Sequence, residues 1–171
     1  MYKLIKPQKK HKKAFISYIE EWGMESITPV TFDLKNETYE TLLDRFHQAK
    51  HDLNLPLGYI PESNYFFMDE DEEIIGCVNI RHHLDEVLYR IRGHIAYGIR
   101  PSRRGEGLAS IMLGVALKKA KKLGIDRVLM VTDKNNIASA KVIQANGGIL
   151  SNETYDMTDH EVIQRYWIDL N

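Results

Sequence analysis

Tyr97-Gly-Ile-Arg-Pro-Ser-Arg-Arg-Gly-Glu-Gly-Leu-Ala109 reads as the end of a strand, a basic loop punctuated by glycine, and the first turn of an amphipathic helix. A helix start leaves its first N–H groups without backbone partners, and the helix dipole adds positive potential there. Such a junction attracts anions. Gly105 and Gly107 put no side chain between backbone and ligand, and Arg103 and Arg104 add charge at the same place. The stretch therefore predicts a pyrophosphate-sized anion site.

Outward from this loop, periodicity predicts the other elements. Upstream, Arg92–Ile99 forms the strand that feeds the loop. Downstream, Gly107–Leu123 carries Leu108, Ile111, Met112, Val115, Ala116, Ala120 and Leu123 on one broad face and stops at Gly124. Val128–Val131 is an apolar run suited to a strand buried on both faces. A short helix over Asn136–Asn146 closes at Gly147-Gly148, and Ile149–Tyr155 pairs with Val162–Leu170. Nearer the N-terminus come a strand at Tyr2–Lys6, a helix at His11–Trp22 and a helix from Glu37 to about Lys50. A hairpin of Asn64–Asp69 and Glu73–Arg81 turns at the acidic run Asp69-Glu-Asp-Glu-Glu73. The order predicts an α/β domain, a mixed sheet with helices on its faces.

Bulk properties narrow the function classes. The chain has 171 residues, 43% of them hydrophobic, 27% charged, with a formal net charge of −1. That length suits a single domain over 1–171 with one sizeable core. No apolar run approaches the ~20 residues of a membrane span, and no signal-peptide pattern opens the chain. The single cysteine, Cys77, allows no intrachain disulfide, so a reduced, cytoplasmic setting is expected. Near-neutral charge argues against nucleic acid, including through the Lys118–Lys122 cluster, and against an anionic membrane surface.

Three phosphate-loop patterns compete. The Walker A pattern G-x-x-x-x-G-K-[ST] is absent. A dinucleotide fingerprint would use Gly105-Glu-Gly107-Leu-Ala-Ser110 with Asp133 as its acid, but its third glycine is missing. The third, Arg104-Gly-Glu-Gly107-Leu-Ala109, matches [Q/R]-x-x-G-x-[G/A] and is followed by Asn136-Ile-Ala-Ser139…Asn146-Gly147. In these residues the chain resembles the GNAT acetyltransferase superfamily. The resemblance implies a mixed, mostly antiparallel sheet with a splayed middle strand and about four flanking helices.

It also implies a donor, acetyl coenzyme A (acetyl-CoA); no metal is expected, because no ligand-spacing motif supports a site from His82, His83 and His94. The N–H groups of Arg104, Gly105, Glu106, Gly107, Leu108 and Ala109 would take its pyrophosphate, with Arg103 or Arg104 adding charge. Tyr97, Gly98 and Ile99 would pair with the pantetheine arm as a peptide adds to a sheet edge. Asn136 would contact the same arm, with Ser139 one helical turn on; capping alone would also account for both. The acceptor implied is a small-molecule or peptide amine, drawn in by Glu20, Glu21 or Asp85–Glu86 near the two N-terminal helices and the 33–64 stretch. A homodimer is an open arrangement, because the C-terminal strand with Tyr166 and Trp167 suits an interface as well as a core.

Acetyl transfer to an amine needs a proton removed from the acceptor and a partner for the leaving thiolate. Only about one lysine-like amine in 2,500 is neutral at pH 7. His94 is the best single candidate for the base, set against its reading as a hydrogen-bonded core histidine. The family's usual acid, a tyrosine seven residues after the Asn, is replaced by Ile143, leaving Tyr155 or Tyr97 for that part, or a thiolate that departs without an acid. His82 and His83 are further candidates to line the acceptor site, and Cys77 is expected to pack. An N-acetyltransferase is the expected function; a non-catalytic acyl-CoA sensor on the same fold and a Rossmann-type oxidoreductase, which would bind a nicotinamide cofactor instead, are its rivals.

Overall fold

The computed structural model describes residues 1–50 and 55–170, so residues 51–54 of the 33–64 acceptor stretch lie outside the described residues. Four strands form one antiparallel sheet in the order β1 (Lys3–Ile5), β2 (Glu62–Met68), β3 (Ile74–Arg81), β4 (Ile95–Ile99). Three more form a second sheet in which β5 (Arg127–Asp133) and β6 (Ile149–Asp156) flank β7 (Glu161–Asp169). Helices α1 (Lys12–Glu21) and α2 (Tyr39–Gln48) cover one face of the first sheet, and α3 (Leu108–Lys122) packs on the other, beside α4 (Ile137–Ala145). Among the described residues no helix is long and apolar enough to cross a membrane.

The helices follow from their apolar spacing. In α1 and just beyond it, Phe15, Tyr18 and Trp22 turn one stripe inward, onto Phe66 and Cys77 of the sheet. Thr38 caps α2 by accepting a hydrogen bond from the Thr41 N–H at 3.2 Å. In α3, Leu108, Met112, Leu113, Ala116 and Ala120 are buried against Val78, Ile80, Ile95 and Ile99. Val128, Leu129 and Met130 of β5 are all buried, as their unbroken apolar run requires. Burial also keeps the Cys77 thiol protonated by pushing its pKa up, in line with a packing role.

One boundary departs from the sequence reading. The strand expected from Arg92 begins only at Ile95, because Leu88–Arg92 coils into a π turn that ends at Gly93. Just there the two sheets touch, through a bridge between Gly93 and Met130. Beyond it β4 pairs only with β3, and β5 only with β7, among the described residues. The middle strands have parted, as the resemblance implied.

Candidate active site

The parting of β4 and β5 opens a cleft of about 260 Å³. Ile95, Ala96 and Tyr97 line it from β4, Met130–Asp133 from β5, and Asn136 and Ser139 from the start of α4. Asp156, Asp159 and Glu161 close it from the β6–β7 hairpin, with Arg81 and Arg92 opposite in charge. Arg92 is paired with Asp159 at 3.1 Å. Arg81 donates to the Gly93 carbonyl at 3.0 Å and forms no ion pair among the described residues. The remaining balance favours negative charge, from Asp133, Asp156 and Glu161.

Two hydrogen bonds fix the phase of β4: Arg81 N–H to the His94 carbonyl, and Arg100 N–H to the Ile75 carbonyl. In an antiparallel pair, alternate residues point their backbone groups at the partner strand. Gly98 therefore engages Cys77 of β3, while the N–H and C=O of Ile95, Tyr97 and Ile99 point away from β3. Tyr97 thus offers free backbone groups to the cleft. The Ile99 carbonyl is taken by Arg104 Nε at 3.1 Å. Gly98 matters for its missing side chain, since a Cβ there would lie 2.2 Å from the Thr28 carbonyl oxygen.

Past β4, Gly105 and Gly107 adopt left-handed φ values of +82° and +76°. Among the described residues, the N–H groups of Gly105, Glu106, Gly107, Leu108 and Ala109 meet no acceptor, while the Arg104 N–H bonds the Pro101 carbonyl. These five form a run of free donors at the positive end of α3. The side chain of Leu108 is buried in the core, so only its backbone faces outward.

The loop's guanidinium groups are matched by carboxylates. Arg103 meets Glu73 at 3.0 Å and Glu106 at 3.1 Å, and Arg104 meets Glu25 at 2.8 Å while lying over the Trp22 ring. Buried Arg100 joins Glu21 at 2.8 Å and also Glu73. Glu21 in addition accepts the Ser102 N–H at 2.6 Å. Glu21 is consequently a brace for the loop, not a free attractor of amines. Asp85 likewise holds the turn that follows it, accepting from the Leu88 N–H at 2.8 Å.

At α4, Asn136 Oδ1 accepts the Ser139 N–H at 3.0 Å, a capping bond, and leaves its Nδ2 without an acceptor among the described residues. The Tyr97 hydroxyl and Ser139 Oγ lie 3.0 Å apart. Ile143 is fully buried in the core.

His94 sits in the wall where the sheets meet, 8% exposed. Its N–H donates to the Leu129 carbonyl at 2.8 Å, and its Nδ1 accepts the Leu129 N–H at 2.9 Å. A neutral ring whose Nδ1 accepts carries its proton on Nε2, so it has no second lone pair to give. Burial, with the charges of Arg81 and His83, pushes its pKa down to about 4. The geometry is that of the hydrogen-bonded core histidine, not of a base open to an acceptor. Tyr155 does not line the cleft; it faces a separate hollow beside Tyr89 and Asn152, while its neighbour Asp156 turns inward. His82 bonds Ser63 at 2.8 Å.

A family model described as "Acetyltransferase (GNAT) family" matches residues 28–147. The chain belongs to the GNAT acetyltransferase family. Its fold agrees with solved structures at low identity. The ribosomal-protein-S5-alanine acetyltransferase from Vibrio fischeri is 17% identical with a TM-score of 0.74, covering 99% of this chain and 93% of that one. An N-acetyltransferase from Staphylococcus aureus Mu50 is 17% identical with a TM-score of 0.66, covering 100% and 99%. Mutant forms of the spermidine/spermine N-acetyltransferase SpeG from Vibrio cholerae are 15% identical with a TM-score of 0.67, covering 99% and 94%. No curated protein matches the chain.

Sequence reasoning passed over two features of the GNAT cleft. One is Asp133, weighed only as a dinucleotide acid; its Oδ1 is buried without a partner among the described residues. The other is Arg81, the charged last residue of β3. A charge at the end of a largely apolar strand was the available signal for each.

Proposed function

We propose that the protein is an N-acetyltransferase that moves an acetyl group from acetyl-CoA to a primary amine by direct attack on the thioester. The observation that carries this is the run of free N–H groups from Gly105 to Ala109 at the start of α3, on the loop that continues β4 beyond the cleft. Those donors suit a pyrophosphate, and the free backbone groups of Tyr97 suit an amide-bearing arm laid along the strand. Asn136 Nδ2 would bind the same arm in this reading.

When bound, acetyl-CoA supplies an activated acyl group; the chain supplies position and charge. Asp133, Asp156 and Glu161 attract a cationic amine into the cleft, and the unpartnered Asp133 Oδ1 is suited to hold it. With the His94 lone pair engaged, the amine's proton passes to water in this scheme. The acceptor is a small amine or an exposed peptide amine, consistent with an open cleft.

Calorimetric titration with acetyl-CoA, with NADH as control, tests the donor site. Expected is roughly micromolar binding of acetyl-CoA that Arg104→Ala combined with Gly107→Glu abolishes. Absence of binding to the unmutated protein would overturn the proposal. The core position of Ile143 favours a second reading, a non-catalytic acyl-CoA sensor. Release of free thiol in the presence of an amine panel separates the two.

A further inference from the structure

A hydrogen-bond donor eases the departure of a thiolate from a thioester, and the residue at position 143 is an isoleucine sealed in the core. The cleft holds one phenol among its described lining residues, Tyr97. Strand alternation turns the Tyr97 side chain away from the α1–α2 face and toward α4. Its hydroxyl meets Ser139 Oγ at 3.0 Å. Ser139 and Ile143 are four residues apart on α4, which places them one turn apart on one face. The phenol therefore arrives on the same helix face as position 143, one turn nearer the helix start, carried by the strand instead of the helix.

We propose that the Tyr97 hydroxyl, backed by Ser139, is the donor that receives the departing thiolate. This rests on the acetyl-transfer reading above. The amine nitrogen forms its bond to the acyl carbon, and the carbon–sulfur bond breaks with its electron pair going to sulfur. The Tyr97 O–H gives its proton to that sulfur and regains one from water through the half-buried Ser139 hydroxyl. The amine's surplus proton leaves to water, so the sum is amide plus free thiol. Burial raises the Tyr97 pKa from its ordinary value, which keeps the phenol protonated and ready to donate at neutral pH.

The test uses free coenzyme A and needs no acceptor. The pKa of its thiol, bound to the full chain, is read from thiolate ultraviolet absorbance against a desulfo-coenzyme A blank. A donated hydrogen bond to the thiolate lowers that pKa by about one to two units, a tenfold to hundredfold effect. Tyr97→Phe, which keeps the backbone groups offered to the pantetheine arm, is expected to raise the bound thiol's pKa by that amount. Ser139→Ala is expected to raise it by a smaller amount, and it carries the same test should Tyr97→Phe fail to fold. Equal thiol pKa values in all folded variants that bind coenzyme A would overturn this proposal and leave the donor site intact. Failure of the unmutated chain to bind coenzyme A would overturn the donor site, and this proposal with it.

Discussion

Replacing His94 separates a structural histidine from a catalytic one. The ring accepts a buried backbone N–H from Leu129 at 2.9 Å, so His94→Ala orphans that donor and leaves a hole. An unsatisfied buried donor costs about 1–3 kcal/mol, and the cavity adds to it, giving about 3 kcal/mol in all. Asparagine places Oδ1 where the ring has Nδ1, so His94→Asn is expected to lose only about 1 kcal/mol. The pH dependence follows from the same geometry. The folded pKa of about 4 lies below the ordinary 6.5, so between these values the unfolded chain binds the proton and the folded chain does not. The stability this histidine contributes is complete above pH 6.5 and is lost as pH falls toward 4. At about 1.4 kcal/mol per pH unit, the loss approaches about 3 kcal/mol. Urea unfolding from pH 7 to 4 should therefore show a steeper decline for the unmutated protein than for His94→Asn. His11, whose pKa burial also lowers, contributes equally to both and cancels. Equal slopes would refute the assignment. So would a drop in acetyl transfer by His94→Asn of the ~10²–10⁴ expected for a lost general base.

Three further perturbations test the frame around the cleft. Gly98→Val would force a Cβ to within 2.2 Å of the Thr28 carbonyl, with Trp22 at 3.2 Å; a loss of about 2–3 kcal/mol in chemical denaturation is expected. Arg100→Met deprives Glu21 and Glu73 of their shared cation; about 2 kcal/mol should be lost in the same assay, less than the ~3–5 of a fully buried pair because Glu73 reaches water. Gly148→Ala would bring a Cβ to 2.4 Å from Ile143 Cγ2 and 2.8 Å from its carbonyl oxygen, so the thermal midpoint should fall by an amount worth about 1–3 kcal/mol.

Local signals were readable from the chain and long-range ones were not. The apolar spacing of α1 and α3, the glycine stops and the unbroken run in β5 each state a burial pattern within one window. The loop from Arg103 to Ala109 was legible for the same reason, since glycines and a helix start sit side by side. A core role for His94 was among the readings, but its partner was hidden, because Leu129 lies 35 residues away. The carboxylates that meet Arg103 and Arg104 come from Glu73 and Glu25, on elements remote in sequence. Tyr155 misled through register: a bulge between Leu150 and Asn152 shifts the alternation of β6, and Asp156 turns inward instead.

The same histidine explains how the cleft exists at all. A strand leaving its neighbour strands backbone N–H groups at the point of departure, and buried ones demand acceptors. At the last contact between the two sheets the His94 backbone N–H satisfies the Leu129 carbonyl, and the His94 ring satisfies the Leu129 N–H. A side chain thus does what the carbonyl of a continuing ladder would have done. Leu129 is left complete without another paired residue on β4, and Ile95 and Tyr97 are free to diverge. Their unpaired backbone groups then face the cleft rather than β5. The splay and the free strand edge, on which the proposed acyl-donor site depends, have one physical origin in the imidazole that closes the ladder.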